Sequence, residues 1–378
     1  MMEYDAIVVG VGGMGSAALY HLARRGLRVL GIERYNIPHE MGSSHGLTRI
    51  IRLAYYEHPS YVPLLRRAYE LWRQLEHTAQ ERLLVITGSI DASPAGGDII
   101  EGSRLSCEIH HLPHEILDSQ ELNKRFPAYR LPSGMSALYQ PDGGFLLSER
   151  CIVAHVMAAL EMGAAVHGQE QVLDWEPTND GVEMRTDRNH YRAAKLVLCA
   201  GAWQAKLAPD LVRLAVPERQ VLAWFQPLRP ELFRLQTFPV FNMAVEEGRY
   251  YGFPVYGIPG FKVGRYHHLS QVVDPDLMDR GVHGEDEEAL RSFTARYFPD
   301  AAGPTMSLKT CLFTNTPDEH FILDLHPELP QVAIAAGFSG HGFKFCSVVG
   351  EVMADLVQAG RSRHNLDLFT IRRFETKV

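Results

Sequence analysis

Tyr4-Asp5-Ala6-Ile7-Val8-Val9-Gly10-Val11-Gly12-Gly13-Met14-Gly15 decides the fold of this 378-residue chain. Residues 6–9 are a short apolar, largely β-branched run, as expected of a buried parallel strand. Gly10, Gly12 and Gly15 follow at once in a G-x-G-x-x-G pattern. Residues 16–25 have helical composition with an apolar face at Ala17, Ala18 and Leu22, and Gly26 stops that helix. Residues 28–32 read as a second strand, closed by Glu33. The three glycines then have separate tasks: a tight strand-to-helix turn, close approach of a pyrophosphate, and close packing of helix on strand. The phosphates would rest on the helix N-terminus, where free N–H groups and the helix dipole favour negative charge. Glu33 stands 23 residues beyond Gly10, where a carboxylate accepts hydrogen bonds from an adenosine ribose. The unit by itself does not separate NAD from FAD.

Outward from this unit, residues 34–46 form a loop rich in Pro, Gly, Ser and His, followed by Thr48-Arg49-Ile50-Ile51-Arg52. Two arginines three apart share one face if this stretch is a helical turn. Their place beside the dinucleotide unit, among apolar neighbours, points to recognition of an anion. Residues 61–78 have the pattern of an amphipathic helix, with Leu64, Leu65, Ala68, Leu71, Trp72 and Leu75 on the apolar side. Residues 83–138 read as short strands and helices, with a capped helix start at Asp118-Ser119-Gln120-Glu121. Residues 148–162 are a further helix, and 164–167 and 171–175 are strands returning to the first unit. Residues 195–203 form a buried strand ending in small residues, which can lie against a dinucleotide.

Between 216 and 312 aromatic and aliphatic residues alternate, notably at 221–225, 250–254 and 261–263. This predicts an antiparallel sheet, a second domain inserted into the first. In Gly260-Phe261-Lys262-Val263-Gly264, Phe261 and Val263 face one side of the strand and Lys262 the other. Near the end, residues 330–336 form a buried strand running into Gly337-Phe338-Ser339-Gly340-His341-Gly342-Phe343-Lys344, and 347–356 a helix. Such glycine density permits close backbone approach to a flat ligand. One nucleotide-binding sheet is therefore expected from the beginning, middle and end of the chain.

A net charge of −8 argues against nucleic acid as the main partner. No apolar stretch approaches about 18 residues, so no membrane span is expected. The chain enters a strand at once, which leaves no room for a signal peptide. The five cysteines (107, 151, 199, 311, 346) form no C-x-x-C pair; this suits a reducing cytoplasm and gives no support for a metal site.

Four stretches carry a resemblance: Gly46-Leu47-Thr48-Arg49-Ile50-Ile51-Arg52, Tyr250-Tyr251-Gly252-Phe253-Pro254, Asp318-Glu319-His320-Phe321-Ile322, and residues 337–345. Over nearly its whole length the chain resembles the family of monomeric sarcosine oxidase and N-methyltryptophan oxidase, flavoenzymes that oxidise secondary amino acids. The resemblance implies a mixed α/β (α+β) fold. A Rossmann-like FAD-binding domain of discontinuous segments (1–83, 141–215 and 319–378) would be joined to a substrate domain with an antiparallel sheet (84–140 and 216–318). It implies FAD linked covalently through the sulfur of Cys311. Further cofactor contacts would come from Gly13, Met14, Arg34, Ser43, Thr48, Arg49, Ile50, Val172, Ala200, Gly201, Trp203, Phe338, Gly340, His341, Gly342, Phe343 and Lys344. Arg52 and Lys344 match the two cations that hold the substrate carboxylate. His45, Thr48 and Arg49 match residues on one face of the flavin, and Lys262 the lysine on the other face that promotes reaction with oxygen. Tyr251 and His267 match residues lining the substrate pocket, to which Phe313 and Gly340 also belong.

Three departures bear on the substrate. Phe313 lacks the hydroxyl of a family tyrosine, the strand around Arg265-Tyr266-His267-His268 carries one extra residue, and residues 242–248 differ where the family places a methionine. The expected reaction is oxidative demethylation of sarcosine or a related N-methyl amino acid, with oxygen as the acceptor and a monomeric enzyme. The alternatives are the same chemistry on N-methyl-L-tryptophan or a cyclic imino acid such as proline or pipecolate, and a dehydrogenase that passes electrons to a partner.

Overall fold

The computed structural model describes residues 3–375; the ends of the expected cofactor domain, 1–2 and 376–378, lie outside the described residues. One sheet holds the dinucleotide unit. Tyr4–Val9 pairs in parallel with Val29–Ile32 on one side and His190–Leu198 on the other. Ala165–His167 extends it beyond Val29–Ile32, and Val332–Ala336 joins His190–Leu198 in parallel. Beginning, middle and end of the chain thus share one sheet. Helices Gly13–Arg24, Ser148–Glu161 and Cys346–Ala359 cover one face, the first packing on each of the other two. Gly350 allows the contact between the first and last of these: a Cβ there would meet the Ala17 backbone at 2.5 Å.

The expected amphipathic helix is Tyr61–Ala79, with its six predicted apolar positions buried. Ser119–Arg125 starts at the predicted cap, where Asp118 accepts from the Gln120 and Glu121 N–H groups and Glu121 reaches back to the Asp118 N–H. Two expectations need correction. Thr48–Ile51 is not a helical turn but a strand, paired with Gly144–Leu147, which also pairs with Leu84–Ile86. The three-residue spacing of Arg49 and Arg52 therefore does not place them on one helical face. The strand expected over 195–203 is His190–Leu198, and Gly201–Trp203 turns away as a short 3-10 helix.

The second large sheet has eight strands. In spatial order they are Thr305–Asn315, Val216–Phe225, Phe261–Arg265, Gly248–Phe253, Val240–Val245, Ser89–Pro94, Met135–Gln140 and Glu115–Asp118. Val240–Val245 and Ser89–Pro94 are parallel, and the other neighbouring pairs antiparallel. One face packs Val221, Ala223, Phe225, Phe241, Phe261 and Val263 into a core with Phe293 of the helix Gly284–Tyr297. Period-two alternation sends Arg249, Tyr251, Lys262 and Gly264 to the other face, which is the face of interest. Among the described residues no helix is long and apolar enough to cross a membrane.

Candidate active site

The glycine turn opens a cavity of about 370 Å³. Its wall includes Gly10, Gly12, Gly13, Met14, Glu33, Arg34, Ser43 and Arg49 from the first segment, and Val172, Ala200, Gly201 and Trp203 from the middle. Phe313, Phe338, Gly340, Gly342 and Phe343 complete it from the end of the chain. Gly15 lies behind this wall, pressed on the Gly10 carbonyl, and a Cβ on Gly12 would meet no atom within 4 Å. The glycines thus divide into one that permits packing and one that leaves room for a ligand. Glu33 is already oriented: its carboxylate accepts from the Val11 N–H at 2.9 Å and the Tyr35 N–H at 3.0 Å. Cavity, bare helix N-terminus and oriented acid fit a dinucleotide.

Around Arg49 the sheets converge. Its guanidinium donates to the Ser43 carbonyl at 2.7 Å and lies 3.6 Å from the Cys311 sulfur. Cys311 is buried, packed with Leu222 and Trp224 beside Tyr251. His45 is buried, and neither ring nitrogen has a partner among the described residues. Burial, with Arg49 second, pushes its pKa down to about 3, so the ring is a neutral imidazole seeking a polar partner. That orphaned ring is a second observation in favour of a polar ligand beside Arg49.

Lys262, on the strand Phe261–Arg265, is buried rather than solvated. Its ammonium donates to Gly46 O at 2.7 Å, Thr48 O at 2.8 Å and Thr48 Oγ1 at 3.0 Å, and lies 4.3 Å from the Phe253 ring centre. Burial, then Arg49, pushes its pKa well below the ordinary lysine value. Three acceptors nevertheless match the three N–H bonds of an ammonium and oppose the loss of its proton. Thr48 is spent on this lysine. Ile50 packs with Val85 and Phe145.

Arg52 is fully buried and already holds acids. Its Nη2 donates to both Glu57 oxygens, at 2.9 and 3.0 Å, and its Nη1 lies 3.7 Å from Asp91. Its charge rests on the rings of Tyr55 and Tyr56, both 4.6 Å away. Lys344 reaches the same Tyr55 ring at 5.3 Å and donates to the His341 carbonyl at 2.7 Å. Burial, then Arg52, pushes the pKa of Lys344 down to about 7. His341 is a structural link: its ring joins Tyr55 OH at 2.5 Å to the Glu319 carbonyl at 2.9 Å.

Tyr251 is half-buried, with Gly264 opposite it; a Cβ there would meet the Tyr251 ring at 2.4 Å. His267 is displaced from this wall. It has a positive φ of 51°, its ring is held by Glu218 at 2.8 Å and Glu319 at 3.1 Å, and its side chain is 39% exposed. These two acids raise its pKa to about 9. The ring 5.2 Å from Tyr251 belongs instead to Tyr266, which also lies 5.7 Å from Phe313. Tyr266 and Arg249 were missed by sequence reasoning. The signal for Arg249 was present, since it alternates in register with Tyr251.

A dinucleotide cavity walled by Arg49, with Cys311 of the second sheet 3.6 Å from that guanidinium, fits a cofactor-dependent oxidoreductase. The family model for FAD dependent oxidoreductases matches residues 5–356. The monomeric sarcosine oxidase of Bacillus sp. (strain NS-129) is 42% identical over 98% of this chain and 97% of its own. The N-methyl-L-tryptophan oxidase of Yersinia pestis (strain Pestoides F) is 34% identical over 99% of this chain and all of its own. Among solved structures, NikD, an amino acid oxidase essential for nikkomycin biosynthesis, superposes with a TM-score of 0.85 at 25% identity, covering 98% of each chain. The chain belongs to the FAD-dependent oxidoreductases, and within them to the family of sarcosine and N-methyltryptophan oxidases.

Proposed function

We propose that this protein oxidises the N-methyl group of a small amino acid and passes the electrons to oxygen. The observation that carries the reading is the pair of buried cations, Arg52 and Lys344, over one tyrosine ring. In a chain of this family such a pair suits a substrate carboxylate, and the similarity to sarcosine oxidase adds the N-methyl amine. The balanced reaction consumes the amine, oxygen and water, and yields the primary amino acid, formaldehyde and hydrogen peroxide. When bound, FAD supplies the two-electron oxidation.

The protein's own contribution is position and charge. Arg52 and Lys344 hold the carboxylate and so fix the C–N bond relative to the cofactor cavity. The buried cations and aromatic walls favour the neutral amine, which has a free lone pair. Lys262, fixed by three acceptors, sets a positive charge where negative charge develops on oxygen. Tyr251 and Phe313 wall the substrate. The two large sheets support assigning 1–83, 141–215 and 319–378 to cofactor binding and 84–140 with 216–318 to substrate. The relatives named monomeric support a monomer, and five free cysteines suit a reducing cytoplasm.

Two predictions arise here. Cys311, beside Arg49, is the residue we assign to the covalent bond with FAD: acid precipitation should leave the yellow colour in the pellet, and Cys311→Ala should release it to the supernatant. Colour released from the unaltered protein would overturn this link. The second concerns pH. Below about 7 Lys344 is a cation and above it neutral, so affinity for a simple carboxylate such as propionate should fall as pH rises, with a slope approaching about tenfold per pH unit. Lys344→Met should flatten that slope in a binding titration.

A further inference from the structure

The substrate wall holds a third cation. Arg249 lies on Gly248–Phe253, two residues before Tyr251 and on the same face of the strand. Its guanidinium lies between two rings, 3.6 Å from the centre of Tyr266 and 4.6 Å from that of Tyr56. Tyr56 is the ring that Arg52 also covers, and Tyr266 adjoins both Tyr251 and Phe313. Arg249 therefore stands among residues of the substrate pocket. Burial depresses Lys344 and His341 first of all, and the charge of Arg249 adds a smaller push in the same direction.

The three cations differ in what they are bonded to. Arg52 is matched by Glu57 at hydrogen-bonding distance and by Asp91. Lys344 has the His341 carbonyl. Arg249 differs in having no carboxylate at hydrogen-bonding distance: its ion pair to Glu57 spans 3.9 Å, and its Nε, like that of Arg52, is buried with no hydrogen-bond partner among the described residues. A buried guanidinium N–H without an acceptor is costly, and a planar guanidinium is the group best suited to take a carboxylate in two parallel bonds. The wall around it holds the phenols of Tyr56, Tyr266 and Tyr251 with the carboxylate of Glu57 at 3.9 Å, while Phe313, 5.7 Å from Tyr266, has no hydroxyl.

We propose that the preferred substrate is an N-methyl amino acid with a short acidic side chain, such as N-methyl-L-aspartate, and that Arg249 receives its second carboxylate. This rests on the N-methyl oxidase reading and names the substrate class of that same site. The α-carboxylate goes to Arg52 and Lys344, and the side-chain carboxylate supplies the acceptor that Arg249 lacks.

The test compares N-methyl-L-aspartate with its neutral isostere N-methyl-L-asparagine, with sarcosine as reference, using the holoenzyme and peroxide detection. The expected ratio of kcat/KM, acid over amide, is roughly 100. Arg249→Gln should bring that ratio close to one, and Arg249→Lys should restore part of it. A merely structural role for Arg249 would lower both substrates together and leave the ratio intact, which would overturn the proposal. Sarcosine oxidised by the unaltered enzyme without preference for acid over amide would also overturn it while leaving the oxidase reading in place. No peroxide from any of the three would overturn both.

Discussion

Gly15→Ala should yield a protein that holds no FAD and melts far below the parent. The added Cβ would lie 1.7 Å from the Gly10 carbonyl oxygen and 2.9 Å from its carbon. Both are backbone atoms, so no rotamer change relieves the clash. Either the helix Gly13–Arg24 lifts from the strand Tyr4–Val9 or the turn opens, and a loss of more than ~4 kcal/mol is expected for such a disruption. Gly10 cannot retreat: it has a φ of +85° and is itself closed in by the Cys199 carbonyl, 2.5 Å from where a Cβ would sit. Gly12→Ala is the control. Its Cβ meets nothing in the protein but enters the cavity wall, so the apoprotein should melt nearly as the parent does while flavin binding weakens. The ratio of flavin to protein absorbance and a thermal melt separate the two. Equal melting temperatures for the Gly15 and Gly12 variants would contradict the division of tasks between these glycines.

Arg52→Met should lower kcat/KM by at least ~1000-fold, about 4 kcal/mol of lost carboxylate binding in the transition state. The loss is twofold in origin. The substrate carboxylate forfeits a guanidinium, and Glu57 and Asp91 remain near it without their principal cation. Burial already pushes the Asp91 carboxyl up against the pull of Arg52, and removing Arg52 should push it further up. Arg52→Lys keeps a charge but not the planar guanidinium and should recover only part of the activity. Steady-state peroxide formation measures the effect, and a melt shows how much belongs to the fold.

The dinucleotide unit was legible because its signals are local: a β-branched run, spaced glycines and a helix stop lie within thirty-odd residues. The helix Tyr61–Ala79 and the cap at Asp118 were legible for the same reason. Thr48–Ile51 was not, because only its partner strand Gly144–Leu147, nearly a hundred residues away, makes it extended. The face of Lys262 followed from alternation, but its burial did not, since that depends on Gly46 and Thr48 arriving from the loop and short strand that follow the dinucleotide unit. Residues 265–268 show the limit most sharply. A strand has period two, so one extra residue changes which side chain meets the wall; Tyr266 adjoins Tyr251, and His267 turns to Glu218 and Glu319. Glu57 escaped notice although a buried arginine calls for an acid, because the five-residue spacing from Arg52 matches no regular element.

The most direct measurement is the product balance with sarcosine in air. The purified yellow protein should convert it to glycine, formaldehyde and hydrogen peroxide in equimolar amounts, with matching oxygen uptake. Release of ammonia in place of formaldehyde, or amine oxidation without peroxide, would contradict the account.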